Sequence, residues 1–160
     1  MKWYERLAKW LKKNGHHRSI YRPNLQTGLD EQYLERYYIL STKWIGIYLH
    51  NFWSSDDDGL HTHPWHSVSV LLKEGYYEEE PIDKNNPHGS TKIHYRCPLH
   101  PFFKIRTKKS AHRITIPDGG AGKCWSLFIR FGIKRQIWGF YRDNKFEPAY
   151  VQSRKDMLQM

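Results

Sequence analysis

Only two cysteines occur among 160 residues, Cys97 and Cys124, and they have no CxxC spacing. That is too few for a secreted disulfide scaffold. No apolar run approaches the ~20 residues that a membrane span requires. The segment MKWYERLAKWLKKNG is charged and amphipathic, without the apolar run and small-residue cleavage site of a signal peptide. The chain contains no Gly-rich phosphate loop, no GxSxG and no cysteine nucleophile in a recognisable context. Long internal repeats and low-complexity tracts are missing as well. These absences lead to the expectation of a soluble cytoplasmic domain with no membrane partner.

What is present argues for a packed fold. Apolar residues make up 39% of the chain and aromatic residues 16%, a composition that does not fit wholesale disorder. The length suits one domain, which buries roughly 70% of the surface its unfolded chain exposes. The net charge of +10 is unevenly placed. Residues 44–90 carry two Lys/Arg against eight Asp/Glu, whereas residues 91–135 carry eleven against one. Such a basic segment can attract nucleic acid or a phosphorylated small molecule, or it can form the solvated outer positions of strands.

Residues 3–13 place Trp3, Leu7, Trp10 and Leu11 at helical spacing before Gly15, and this face is expected to pack on the domain. Polar residues with Pro23 and Gly28 suggest an irregular connection over residues 16–30. Residues 30–42 fit a short helix capped by Asp30 or, given their β-branched and aromatic content, a strand. Beyond residue 43 the pattern has period two. Strands are expected at 44–53, 67–79 with a turn or bulge at Gly75, 91–97, 102–107, 111–117 and 124–131, with another at 135–141. Many short strands divided by Pro- and Gly-containing turns, without alternating long helices, indicate an antiparallel sandwich or barrel.

The strongest chemical signal is GLHTHPWHSVSVLLKEGYY, residues 59–77. In an extended chain His61 and His63 emerge on one face, about 6.5–7 Å apart at Cα. Two imidazoles so placed can converge on one metal ion at about 2.0–2.1 Å per bond. His112 shares a strand face with Ile114 and Ile116 and is the candidate third ligand from a distant strand. A histidine pointing into an apolar interior needs a partner, because an unpaired buried polar group is costly. The alternative is that these histidines bind a ligand or simply pack. His66 lies beyond Pro64, which breaks the alternation. Tyr76, Tyr77 and Glu78 could orient a ligand or supply an acid or base, or be exposed strand-end residues. His50 is either a second donor behind the site or a core histidine. Lys104 and Arg106 share a face that could meet an anion, while Arg113 is expected at the surface or between strands. Asp56-Asp57-Asp58 reads as a solvated turn.

The 59–77 segment resembles the first motif of the cupin superfamily, a glycine, HxH, a glutamate and a closing glycine. His61-Thr62-His63 supplies HxH and Gly75 the closing glycine, but Val68 stands at the glutamate position. The second cupin motif is matched by His112, with Ile116 in place of its asparagine. Small bacterial and phage cupins are more similar still. They combine a YLHxF strand, HxHPW, a glycine-tyrosine turn, an HR pair and a late WGF. Here these are Tyr48–Phe52, His61–Trp65, Gly75-Tyr76, His112-Arg113 and Trp138–Phe140, so the likeness spans roughly residues 33–141.

The resemblance implies an all-β double-stranded β-helix, the cupin jelly-roll barrel, with N-terminal helical decoration. Residues 1–42 would form the helix and connecting segment, residues 43–142 the barrel and residues 143–160 a C-terminal tail. A set of His61, His63 and His112 resembles the three-histidine site of the cupin thiol dioxygenases, which also lack the glutamate. The implied cofactor is a divalent metal ion, Fe(II) ahead of Zn, Ni or Mn. The implied activity is a non-haem iron oxygenase acting on a small polar or anionic substrate, with His66 and Tyr76 as catalytic candidates. One alternative is a sugar-nucleotide isomerase or epimerase. The other is a non-catalytic cupin binding a nucleotide, a sugar or nucleic acid through the basic 91–135 segment. The same resemblance implies a homodimer.

Overall fold

A computed structural model describes residues 1–23, 27–56, 59–99, 103–132, 137–142 and 145–148. It begins with helix α1 (Trp3–Lys13), followed by strands β1 (His17–Pro23), β2 (Asp30–Ser41), β3 (Ile45–Phe52), β4 (Leu60–His61), β5 (His66–Lys73) and β6 (Tyr76–Pro81). The remaining strands are β7 (Thr91–Arg96), β8 (Phe103–Arg106), β9 (Arg113–Thr115), β10 (Cys124–Phe131), β11 (Gly139–Arg142) and β12 (Lys145–Pro148). Strand pairing among the described residues is antiparallel throughout. Six strands form one sheet in the order β1-β2-β3-β10-β5-β8. The opposing wall consists of two three-stranded sheets, β12-β11-β4 and β7-β6-β9, joined by a bridge between His61 and His112. This is a jelly roll with one helix outside it. Among the described residues no helix is long and apolar enough to cross a membrane.

The period-two reading holds along the large sheet. Its inner face contributes Leu34, Phe52, Leu71 and Cys124, which meet Tyr76, Ile114 and Ile116 from the opposing wall in an apolar core at one end of the barrel. Its outer face carries Tyr37, Leu49 and Trp125, covered by Tyr4, Ala8 and Leu11 of α1. The 67–79 segment is divided by a turn with Glu74 at φ 52°, so β5 and β6 lie in different sheets. Gly75 is required at that turn because a Cβ there would collide with the Arg96 carbonyl.

Several local expectations need correction. The buried face of α1 is Tyr4, Ala8 and Leu11 with Leu7 at its margin, while Trp3 and Trp10 are 57% and 58% exposed. The expected irregular connection contains β1, and of the two readings open for residues 30–42, helix or strand, the structure has the strand, β2. Both strands extend the six-stranded sheet instead of lying outside it, because β2 pairs with β3 along Leu34–Ser41. In the expected C-terminal tail, Lys145–Pro148 forms β12 against β11, and residues 143–144 and 149–160 lie outside the described residues. Residues 102, 135 and 136, assigned to strands from the sequence, also lie outside them.

Candidate metal centre

The three histidines reach one place from two segments of chain. His61 occupies β4, and its backbone exchanges two hydrogen bonds with His112, N–H to carbonyl at 2.9 and 3.0 Å. Thr62 is clamped to Gly139 through its N–H (3.0 Å to the Gly139 carbonyl) and its hydroxyl, which accepts the Gly139 N–H at 3.3 Å. Strand alternation about Thr62 then sends His61 and His63 to the same side. Ring centroids lie 5.0 Å apart for His61 and His63, 4.7 Å for His61 and His112, and 5.2 Å for His63 and His112. One ring nitrogen from each falls within 4.8 Å of the others.

His63 Nε2 and His112 Nε2 approach to 3.0 Å. That is about the separation of two ligands on one ion with bonds of about 2.0–2.1 Å. Burial, then the neighbouring imidazoles, push the His63 pKa well below its ordinary value. Burial and the Arg106 charge lower His112 to about 4 despite the opposing pull of Glu78. Both rings are therefore neutral at pH 7 and have lone pairs to offer, the form a metal requires. The donor set fits a divalent ion.

Two carboxylates stand behind the rings. Asp56 accepts the Tyr33 hydroxyl at 2.5 Å on Oδ1 and the Ile114 N–H at 2.7 Å on Oδ2, and Oδ2 lies 3.8 Å from His61 Nδ1. It is a buried tie between β2, β9 and the histidine segment, not the solvated turn expected; Asp57 and Asp58 lie outside the described residues. Glu78 is fully buried, with Oε1 3.0 Å from His112 Nδ1. Arg106 Nε donates to the same oxygen at 2.8 Å, and Arg96 Nε donates to Oε2. Burial opposes ionisation of Glu78, but the Arg106 guanidinium, His112 and Arg96 outweigh it and hold the carboxyl far below the usual carboxylate range. With Nδ1 facing Glu78, His112 presents Nε2 inward, the arrangement that orients a metal-binding imidazole.

The other candidates fall around this cluster. Tyr76 is buried, its ring against Phe52 and its hydroxyl accepting from Arg106 at 3.3 Å. His66 opens β5 and stacks on Phe131 at 6.2 Å, outside the three-histidine group. Tyr77 is exposed, and Arg113 pairs with Glu79 at 2.7 Å between strands, as expected. Lys104 and Arg106 are committed to Glu80 and Glu78, so they are not the anion contacts suggested by their shared face. His50 is buried and accepts a hydrogen bond from Arg36 Nε at 3.1 Å; burial first, then the Arg36 charge, keep it neutral. Phe128 stacks on His50 at 5.0 Å and meets His63 at 6.4 Å, linking Arg36 to the histidine cluster by a wall of rings. Arg36 was not singled out from the sequence, and Asp56 was not given a buried role. Arg36 would have been accessible once residues 30–41 were read as a strand, where it shares a face with Leu34.

Fold and site together define a cupin-type jelly roll with a three-histidine cluster in its interior. No protein-family model matches the chain, and no curated protein sequence matches it. Solved structures do. The DMSP lyase DddQ from Ruegeria pomeroyi DSS-3 superposes with a TM-score of 0.50 and 11% identity, over 79% of this chain and 64% of the lyase. The chain thus spans less than two thirds of that protein. A protein from Thermus thermophilus gives a TM-score of 0.46 at 10% identity, over 83% of this chain and 97% of its own. An RmlC-like cupin from Desulfovibrio desulfuricans gives 0.40 at 12% identity, over 69% and 87%. At these identities the likeness is one of fold.

Proposed function

We propose that the chain is a metal-dependent cupin enzyme, a cytoplasmic non-haem iron oxygenase acting on a small polar or anionic substrate. His61, His63 and His112 hold the ion. The reading is carried by the convergence of three imidazoles, the two with lowered pKa neutral, on one buried point. Fe(II) bound there by His61, His63 and His112 would supply a Lewis-acidic, redox-active centre for an oxygen-dependent reaction.

The chain's own residues supply the rest. Glu78 holds His112 with Nε2 inward, and Arg96 and Arg106 keep that carboxylate charged at every physiological pH. The backbone bridge between His61 and His112 fixes two of the ligands to each other independently of their side chains. Phe128, between His63 and His50, supplies an apolar wall beside the cluster. His66, half-buried beside Phe131, stands as a substrate contact at the barrel rim. The Tyr76 hydroxyl, its pKa raised by burial and its oxygen accepting from Arg106, stands as the candidate acid that orients or protonates the substrate. Cys97 and Cys124 are thiols and not a disulfide, as a reducing compartment allows.

Elemental analysis of untagged wild-type protein beside His112→Ala tests the reading. Near-stoichiometric iron in the wild type, lost in the variant, is expected, with oxygen uptake as the next assay. Another tightly held metal would favour isomerase or epimerase chemistry. No metal in either protein, even after anaerobic reconstitution with Fe(II), would overturn the metalloenzyme and leave a non-catalytic binder.

A further inference from the structure

Arg36 stands on the inner face of β2, opposite His50 in the register of β2 and β3. Its Nε donates to His50 Nε2 at 3.1 Å and its guanidinium lies over the Tyr48 ring at 5.3 Å. Both contacts aim a half-buried cation into the barrel, and neither neutralises it. No carboxylate lies within ion-pair distance of Arg36 among the described residues, whereas Arg96, Arg106, Arg113 and Lys104 each have one. An uncompensated cation away from bulk water is costly unless a counter-ion joins it.

The same row of the sheet holds a second unsatisfied donor. Ser126 pairs with His50 on the other side, is fully buried, and its hydroxyl has no hydrogen-bond partner. Ser67, two strands from His50 and also fully buried, is likewise unpartnered. Buried hydroxyls are ordinarily bonded, so Ser126 in the row of Arg36 and His50, with Ser67 four residues further along the same face, marks a surface made to receive acceptor atoms near a cation without a counter-charge. The rings of Tyr48, His50 and Phe128 stack between these donors and His63. We infer that this inner face of the sheet binds a small oxyanion, a carboxylate or phosphoryl group, anchored by Arg36 with the remainder of the molecule lying along the aromatic wall toward the histidines. Arg36 is then the specificity-determining residue. The guanidinium fork matches a planar or tetrahedral oxyanion with two donors, and the Nε bond to His50 fixes its plane in advance. Calling the ligand a substrate rests on the metalloenzyme reading; anion binding itself does not.

The test is isothermal titration of the full chain with propionate and, separately, with inorganic phosphate, both as purified and after chelator treatment. Saturable binding of one of the two, persisting without metal, is expected, and which one binds identifies the group. Arg36→Gln should weaken it by about 10- to 100-fold, the usual consequence of losing a hydrogen bond to a charged group. Arg36→Lys, which keeps the charge without the fork, should fall between, and thermal melts establish that each variant is folded. A separate cavity of about 290 Å³, lined by Lys84, Lys109 and Tyr141, is the competing location. Loss of binding in Lys84→Ala/Lys109→Ala with Arg36→Lys unaffected would overturn the assignment, as would no binding of either anion to folded wild type. Anion binding through Arg36 in a protein that takes up no metal would instead defeat the enzyme reading alone.

Discussion

Glu78 does at once what the buried His112 and two buried arginines need. It orients His112 and supplies the counter-charge for Arg96 and Arg106. Glu78→Gln keeps the shape and removes the charge, leaving two guanidiniums without their main partner. The expected loss of stability is about 3–5 kcal/mol, as when one member of a buried ion network is deleted, read by urea unfolding of chelator-treated protein. Unchanged stability would mean that Glu80, 3.4 Å from Arg96, can take over. Part of this was legible in the sequence. Alternation places Glu78 on the same face as Tyr76, and the HxH pair with His112 was recognisable from spacing. What sequence could not reveal is that Arg96 and Arg106, 18 and 28 residues onward, close on that one carboxylate. Such meetings are set by the pairing of β7 with β6 and by the crossing of β8 to the other sheet, not by any local pattern.

At the scale of elements, α1 is secured by Glu35 as well as by apolar burial. Glu35 on β2 meets Lys12 at 3.1 Å, His17 at 3.2 Å and the Tyr37 hydroxyl at 2.9 Å, joining helix, β1 and β2. Burial alone would raise its carboxyl, but the bonds from Lys12 and Tyr37 outweigh it and bring the value below normal. The unfolded chain therefore takes up the proton first as pH falls. The stability due to Glu35 is complete above the ordinary carboxylate range near pH 4.5 and is lost as pH drops through the lower folded value. Glu35→Gln is expected to cost about 1–2 kcal/mol at pH 7, discounted for the exposure of Lys12. The gap to wild type should narrow at about pH 3.5 in urea melts, and an equal gap at both pH values would show that the charge contributes nothing. Helical periodicity located α1 but not its buried side. Counting Trp3 and Trp10 as anchors rotated the face, whereas the sheet has room for Tyr4, Ala8 and Leu11 and leaves both tryptophans outside. The β1 strand escaped and β2 stayed open between helix and strand because turn formers and a potential N-cap compete with strand propensity over residues 16–42, and only pairing with neighbouring strands decides between them.

On the scale of the whole molecule, the uneven charge along the chain becomes internal complementarity. The acidic run Glu78-Glu79-Glu80 lies on β6, the centre of the β7-β6-β9 sheet. Four cations of the basic 91–135 segment converge on it: Arg96 on Glu78 and Glu80, Lys104 on Glu80, Arg106 on Glu78, and Arg113 on Glu79. Arg130 is engaged by the Tyr48 hydroxyl and the Thr42 carbonyl. Part of the segment that looks most like a nucleic-acid surface is thus turned to internal pairing, with Arg96 and Arg106 buried, and this charge helps to balance carboxylates that burial would otherwise neutralise. The net +10 still attracts polyanions at long range. Association with mixed-sequence RNA or duplex DNA is therefore expected to be weak, with Kd no tighter than about 10⁻⁶ M at physiological salt, and to fall steeply between about 50 and 200 mM salt, as for non-specific binding. Fluorescence anisotropy across that salt range checks it. A complex persisting at nanomolar concentration in about 200 mM salt would overturn the non-specific reading and point to a dedicated cationic interface.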